Sequence, residues 1–546
     1  MKHITKAFVL LVSISLSTFS HAYTFPQSEA DASRFLIQAT FGPSMDDIDE
    51  VMEIGYEGWL EKQFNLSGPT HLSFLQELMV DKNITNEKKA KNHHLQSAWW
   101  RASITNDDQL RQRVAFALSQ ILVVSTNADG LTRLKEQGLA DYYDLLASHA
   151  FGNYRDLLED VTLNPMMGRY LSMYRNQKPN PAKNIHPDEN YAREVMQLFT
   201  IGLVELNDDG SPKVDANGQE IPTYTQEDIE GLAHVLTGWT DAVAVEKNRF
   251  TTRVRGTANL LRPLQAWAPK HDTNEKTIIG NTVIAAGQTA EAELEIALDT
   301  LFNHPNVPPF IGKLLIQRLV TSNPTPDYVN RISQVFKDNG EGVRGDLKAV
   351  VKAILLDPEA RDGHLVYPDT FGKLKEPVLR ISGLWRAFDA YTPGKHFHYG
   401  NAKANLGQAA LSADTVFNFF PTDHQRSGDL GDMGLVTPEF AVLTDNNMVS
   451  TSNRIRSIIH RNNFRNVKDK HIALDLTDEV ALAEDVPALV ERINLLLMAG
   501  SMSDAMKLEI INHVENIRVR KTRHKVNRVA DAIFMVMSSA EQAIQQ

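Results

Sequence analysis

The 546-residue chain has no cysteine. That absence removes disulfides, thiolate metal sites and thiol nucleophiles together, and it leaves no residue for a lipobox. Stability must then come from the core, which a chain of this length with 42% hydrophobic residues can bury. Long apolar runs are also scarce. Beyond the N-terminal segment, no stretch approaches the roughly 20 uninterrupted apolar residues that a bilayer span requires. Basic charge is in deficit, and a formal net charge of −12 argues against nucleic-acid binding. The one basic run, Arg518–Arg528, reads as a solvated face. H-E-x-x-H, G-x-S-x-G and Walker arrangements are missing as well, so no motif names a reaction or a cofactor.

What is present begins with Lys2 and Lys6, the apolar run Ala7–Leu16, and Ser20-His21-Ala22. This order predicts a secretory signal over residues 1–22, cleaved after Ala22, and an exported protein, periplasmic or secreted. Cleavage removes two lysines and takes the formal charge to −14.

Helical periodicity then dominates. Leu110, Val114, Ala117, Leu118 and Ile121 recur on one face, with Arg111 and Arg113 off it. Further helices are expected over 31–41, 45–64, 141–150, 154–163, 225–239, 291–302, 308–321, 346–356 and 377–388. Turn signals at Asp209-Gly210, Asn217-Gly218 and Gly280-Asn281 predict small β-hairpins inside 205–225 and 240–288, the last with a two-residue turn. Thr225 and Asp228 are positioned to cap a helix. The expected fold is mainly α: one large helical domain over 23–546, with a long covering loop at 389–440 and a C-terminal helical segment at 485–546.

The stretch His186–Gly202 carries the most specific polar face. With Pro187 at its first turn, a helix there groups Tyr191, Val195, Leu198 and Phe199 on one side and Glu189, Arg193, Glu194 and Gln197 on the other. Glu189 and Arg193 are spaced for an i,i+4 ion pair. The segment 308–321 is apolar almost all round, interrupted by Lys313, Gln317, Arg318 and Thr321. Such a helix is buried, and its cations need acidic partners. The two strips are therefore expected to face one another. Glu189 and Glu194 are the acid–base candidates, and Arg193, Lys313, Gln317 and Arg318 are candidates for holding an anionic group. His271 and Asp272 form a further catalytic candidate, the aspartate fixing the imidazole tautomer or both binding a metal.

Ordered signatures cover nearly the whole chain: RFLIQATFGPS from Arg34, RQRVAFALSQILVVS from Arg111, HAFGNYRDLLEDVTLNPMMGRYL from His149 and PDENYAREVMQLFTIGL from Pro187. They continue with TYTQEDI from Thr223, TGW at Thr237, FNHPNVPPFIGKLLIQRLVTSNP from Phe302, GDLKAVVKAILLDPEAR from Gly345, KLKEPVLR from Lys373, VFNFF from Val416 and PEF at Pro438. In these the chain resembles an exported bacterial family catalogued as domain of unknown function 1800. The resemblance implies a mainly helical, exported protein without an established activity. It also implies a co-encoded exported partner, from a second family similar to sulfatases and alkaline phosphatases.

Two readings follow. One is an envelope hydrolase or group transferase that uses the Glu/Arg/His groups on an anionic or carbohydrate-like substrate. The other is a non-catalytic helical binding or maturation factor for the exported partner, its polar groups positioning the loop after Asp389.

Overall fold

Short polar side chains set where the helices begin. In the computed structural model, which describes residues 24–86, 89–127, 131, 135–242, 250, 259–461 and 472–546, Ser28 opens Glu29–Ala39 by accepting from the Asp31 amide (3.3 Å). Ser44 with Asp47 forms a reciprocal capping box for Met45–Asn65, and Thr225 with Asp228 does so for Gln226–Val235. The protein is mainly helical, and the three sheets among the described residues are each two-stranded. No helix among them is long and apolar enough to cross a membrane. The expected signal segment lies outside the described residues, as do 243–249 and 251–258 of the expected irregular stretch.

Buried apolar side chains form one contiguous cluster running from Ala32 to Met537. Its aromatic node joins distant parts of the chain: Trp100 of Asn92–Thr105 meets Trp385 of Pro377–Ala387 (5.0 Å) and stacks on Tyr399 (5.4 Å). The chain's far end returns to the same region, where Ile544–Gln545 pairs antiparallel with Lys373–Leu374.

Three expectations change in detail. The helix over 186–202 is confined to Asn190–Gln197. Asn176 holds Asp188 in a non-helical turn, accepting from the Asp188 amide (2.8 Å) and donating to its carbonyl (3.0 Å), so Pro187 never enters the helix. At the other end, the amides of Ile201 and Gly202 both reach back to the Met196 carbonyl, and Gly202 takes φ 71°. The hairpin Lys276–Ile278 with Thr282–Ile284 has a three-residue loop, because Ile278 pairs with Thr282. Finally, 204–222 forms isolated bridges, Val204 to Pro222, Leu206 to Pro212 and Val214 to Glu220. Two of the bridging positions are prolines, which cannot donate to a ladder.

Gly340, Gly342 and Gly345 have the spacing of a dinucleotide-binding turn. They link Pro326–Lys337 to Leu347–Leu356 with no strand before them, and that turn needs one. Between 389 and 440 the chain is irregular apart from Ala402–Leu406, Asp429–Asp432 and a short turn helix at Pro438–Val442.

Candidate functional site

The helix Val307–Leu319 ends in carbonyls that no helical amide can reach, and cations close that end. Lys373 Nζ donates to the carbonyls of Gln317 (2.6 Å) and Arg318 (3.1 Å), and Arg113 Nη2 donates to that of Arg318 (2.7 Å). Lys373 also pairs with Glu439 Oε1 (2.9 Å). Three acceptors use all three N–H groups of an ammonium, so Lys373 is held charged although burial pulls its pKa down against the pull of Glu439 and Glu376. Burial likewise pushes Arg113 down to about 10. The acids are engaged as well, although Glu376 Oε1 is buried without a hydrogen-bond partner among the described residues. Glu439 Oε2 accepts from Ser322 Oγ (3.2 Å), and Glu376 Oε2 accepts from Gln120 Nε2 (2.5 Å) and from Gln408 Nε2.

Arg318 stands apart within this cluster. It is 2% exposed, yet its guanidinium has neither a hydrogen bond nor an ion pair among the described residues, and its Nε is buried without a partner. Burial lowers its pKa, with the charges of Glu376 and Glu439 acting in the opposite sense. The guanidinium lies over the Phe420 ring, 4.7 Å from the centroid, a cation–π contact that supplies no acceptor.

Arg318 lines a cavity of about 450 Å³. Gln120 and Ile121 follow the helix Gln109–Ser119 and line it from one side, while Gln197, Leu198, Gly202 and Leu203 come from the end of helix 190–197. Phe310 and Leu314 join Arg318 from helix 307–319, and 416–417 with 420–423 complete the wall. The lining is largely apolar and aromatic, with Arg318 and Gln120 as polar anchors. A larger, more open groove of about 620 Å³ lies between Asn92, His93 and Asn401, and it contains none of the candidate residues.

The sequence candidates are split between separate places. Gln317 and Arg318 belong to the buried cluster, Gln317 Nε2 donating to the Ser322 carbonyl (3.0 Å). The expected acidic partners from 186–202 are not there. Glu376 and Glu439 are the carboxylates near Arg318, because the 373–376 and 438–442 segments, rather than helix 190–197, pack on its polar side. Glu189 and Arg193 form their i,i+4 pair (3.1 Å) at the surface, where Gln226 also donates to Glu189. Replacing Glu189 by glutamine is expected to change stability by less than about 1 kcal/mol, checked by thermal denaturation. Glu194 is buried. Burial raises its pKa, Arg193 opposes the rise, and its Oε2 has no hydrogen-bond partner. Lys313 is exposed, its stem passing beside Gly210.

His271 and Asp272 form another centre, differently wired from the expected dyad. Asp272 orients His234, its Oδ2 lying 2.5 Å from His234 Nδ1, and its Oδ1 accepts from the Asn274 amide (3.0 Å) and side chain (2.7 Å). His271 is buried with Nδ1 on the Thr237 carbonyl (3.0 Å), and its Nε2 lies 3.2 Å from Glu293 Oε2 without hydrogen-bond geometry. Glu293 is fully buried and pairs with Lys276 (2.7 Å). Lys276 also donates to the carbonyls of Asp272 and Asn274. Lys276 thus locks the hairpin to the helix Ala290–Asn303, and His271, buried beside that pair, is closed to substrate, whereas His234 is part-exposed. Among the described residues no group of three or more His, Asp or Glu side chains is arranged to hold a metal.

No local pattern singles out His234, which reads as one more residue of a capped helix. Lys373, Glu376 and Glu439 fall in the stretches KLKEPVLR and PEF, but no spacing there marks them as partners of Arg318.

A family model described as "Protein of unknown function (DUF1800)" matches residues 34–543. No curated protein and no solved structure matches the chain.

Proposed function

The chain belongs to this family of unknown function, and from its own residues we propose that the Arg318 pocket binds an organic anion. Arg318 holds the charged group, and Phe310, Phe417 and Phe420 flank an apolar or ring-shaped body. The unpaired, buried guanidinium carries this reading. An uncompensated buried charge costs several kcal/mol, and a bound carboxylate, sulfate or phosphate offsets that cost through the planar donor fork of arginine. The 389–440 segment acts as the covering loop through 416–423, and Lys373, Glu439 and Ser322 fix its far end. The site works outside the cytoplasm, a proposal supported by the signal-like residues 1–22.

This is a binding reading. A hydrolase or transferase needs an acid–base group at the ligand, and Asp423 is the only carboxylate among the residues lining the pocket. Titration of residues 23–546 with phenyl phosphate, 4-nitrophenyl sulfate and benzoate, followed by ligand-observed NMR, tests it. Arg318→Met is expected to weaken binding by about 10–100-fold. Without ligand the variant is expected to be at least as stable as the parent, since it no longer buries an unpaired charge and neither Glu376 nor Glu439 loses a hydrogen-bond donor. Equal affinity in both proteins overturns the reading, and so does a collapse of stability in the variant.

A second reading rests on Phe417, Leu430, Met433, Met448 and Val449, large apolar side chains exposed within one stretch of chain. They suit a docking face for an exported, sulfatase-like partner. Copurification from the native envelope, lost in Phe417→Ser with Met433→Ser, supports it. A monodisperse monomer without a partner contradicts it.

A further inference from the structure

Lys375 and Arg380 are the cations that the cluster around Glu376 and Glu439 does not use. Lys375 is buried, and its ammonium donates to one acceptor among the described residues, the backbone carbonyl of Leu497 (3.1 Å). Arg380 donates to Gln542 Oε1 (3.0 Å) and to the Met537 carbonyl. Neither makes an ion pair among the described residues. Both line a cavity of about 30 Å³, the space of about one small ion or one water. Each wall of it is accounted for: Ile37 from helix 29–39, Pro43, Leu379 and Gly383 from helix 377–387, Leu496 and Leu497 from the helix Val486–Met498, and Gln542 and Gln545 from the C-terminal end. No carboxylate is among them.

We propose that a monatomic anion, chloride in ordinary salt, binds between Lys375 and Arg380 and fastens the C-terminal segment to the rest of the fold. A buried ammonium beside a half-buried guanidinium, with neutral groups around both, needs a counter-charge, and a space of about 30 Å³ suits a monatomic ion. The ion contacts three parts of the chain at once, so its binding and the docking of the C-terminal segment favour each other. The site is independent of the Arg318 pocket.

The charge of Lys375 gives the inference a pH signature. Burial, with Arg380 adding to it, pushes the Lys375 pKa down to about 7 from its ordinary 10.5. The unfolded chain therefore holds more protons between about pH 7 and 10.5, and without chloride stability rises with pH across that window. Chloride favours the charged form, raises the folded-state pKa and flattens the rise. Residues 23–546 are melted in sodium chloride and in sodium gluconate at equal ionic strength, at pH 6 and at pH 10.5. At pH 6 chloride is expected to raise Tm by about 1 °C for each tenfold increase above its Kd, with little effect at pH 10.5. Lys375→Met is expected to fold and to lose the chloride dependence. Identical melting in the two salts at pH 6, or an undiminished response in Lys375→Met, overturns the proposal. Chlorine-35 line broadening by the unaltered protein gives a second readout. Broadening at pH 6 that disappears at pH 10.5 supports the site, and no broadening at pH 6 contradicts it, whether or not the variant folds.

Discussion

Glu439→Ala is expected to destabilise the folded chain by about 3–5 kcal/mol, read as a lower urea midpoint with an unchanged slope. Glu439 is 1% exposed and is the only carboxylate paired with Lys373 among the described residues. Without it, a fully buried ammonium keeps only the carbonyls of Gln317 and Arg318. Ser322 Oγ loses its acceptor at the same time. The double variant Lys373→Met/Glu439→Leu is expected to recover most of the loss, because removing both charges removes the desolvation penalty with the attraction. A single variant within about 1 kcal/mol of the parent would show that the pair is not ionised.

The second large effect is expected at Glu293, with Glu293→Ala costing about 3–5 kcal/mol in the same measurement. Its carboxylate is fully buried between Lys276 (2.7 Å) and His271 (3.2 Å), so truncation strands one cation and removes the acid that faces the imidazole. Affinity for an organic anion at Arg318 is expected to stay unchanged, since neither His271 nor Glu293 lines that pocket. A stable Glu293→Ala protein that lost ligand binding would instead assign His271 and Glu293 to the site. His234 gives the complementary test. It is part-exposed and held by Asp272, so His234→Gln should leave the buried Lys276–Glu293 pair intact and change stability far less.

Much of this architecture was legible in the sequence. The Thr225/Asp228 cap, the buried helix near 308–321 and the turns at Gly210, Gly218 and Gly280 all depend on neighbours within a few residues. The extent of helix 190–197 was not, because Asn176 ends it from outside the segment. The candidate site shows the same division. The apolar pattern of 308–321 implied that Arg318 is buried, since Leu314, Leu315 and Leu319 lie around it, although the same pattern pointed equally to Lys313, which is exposed. The surroundings of Arg318 were hidden, because Glu376, Glu439 and Phe420 are brought to it by segments 58 to 121 positions further along the chain. His271 and Asp272 are adjacent in sequence, yet they turn to different partners, Glu293 and His234, that no local pattern singles out.

Arg318 is proposed to anchor an anion within an aromatic-walled pocket. Crystals soaked in 4-bromobenzenesulfonate test it most directly, because anomalous scattering from bromine reports the orientation of the ligand as well as its presence. The sulfonate is expected against the Arg318 guanidinium, with the bromine peak among Phe310, Leu314 and Phe417. A bromine peak found only elsewhere, with the Arg318 guanidinium turned to an acid of the protein, would contradict it.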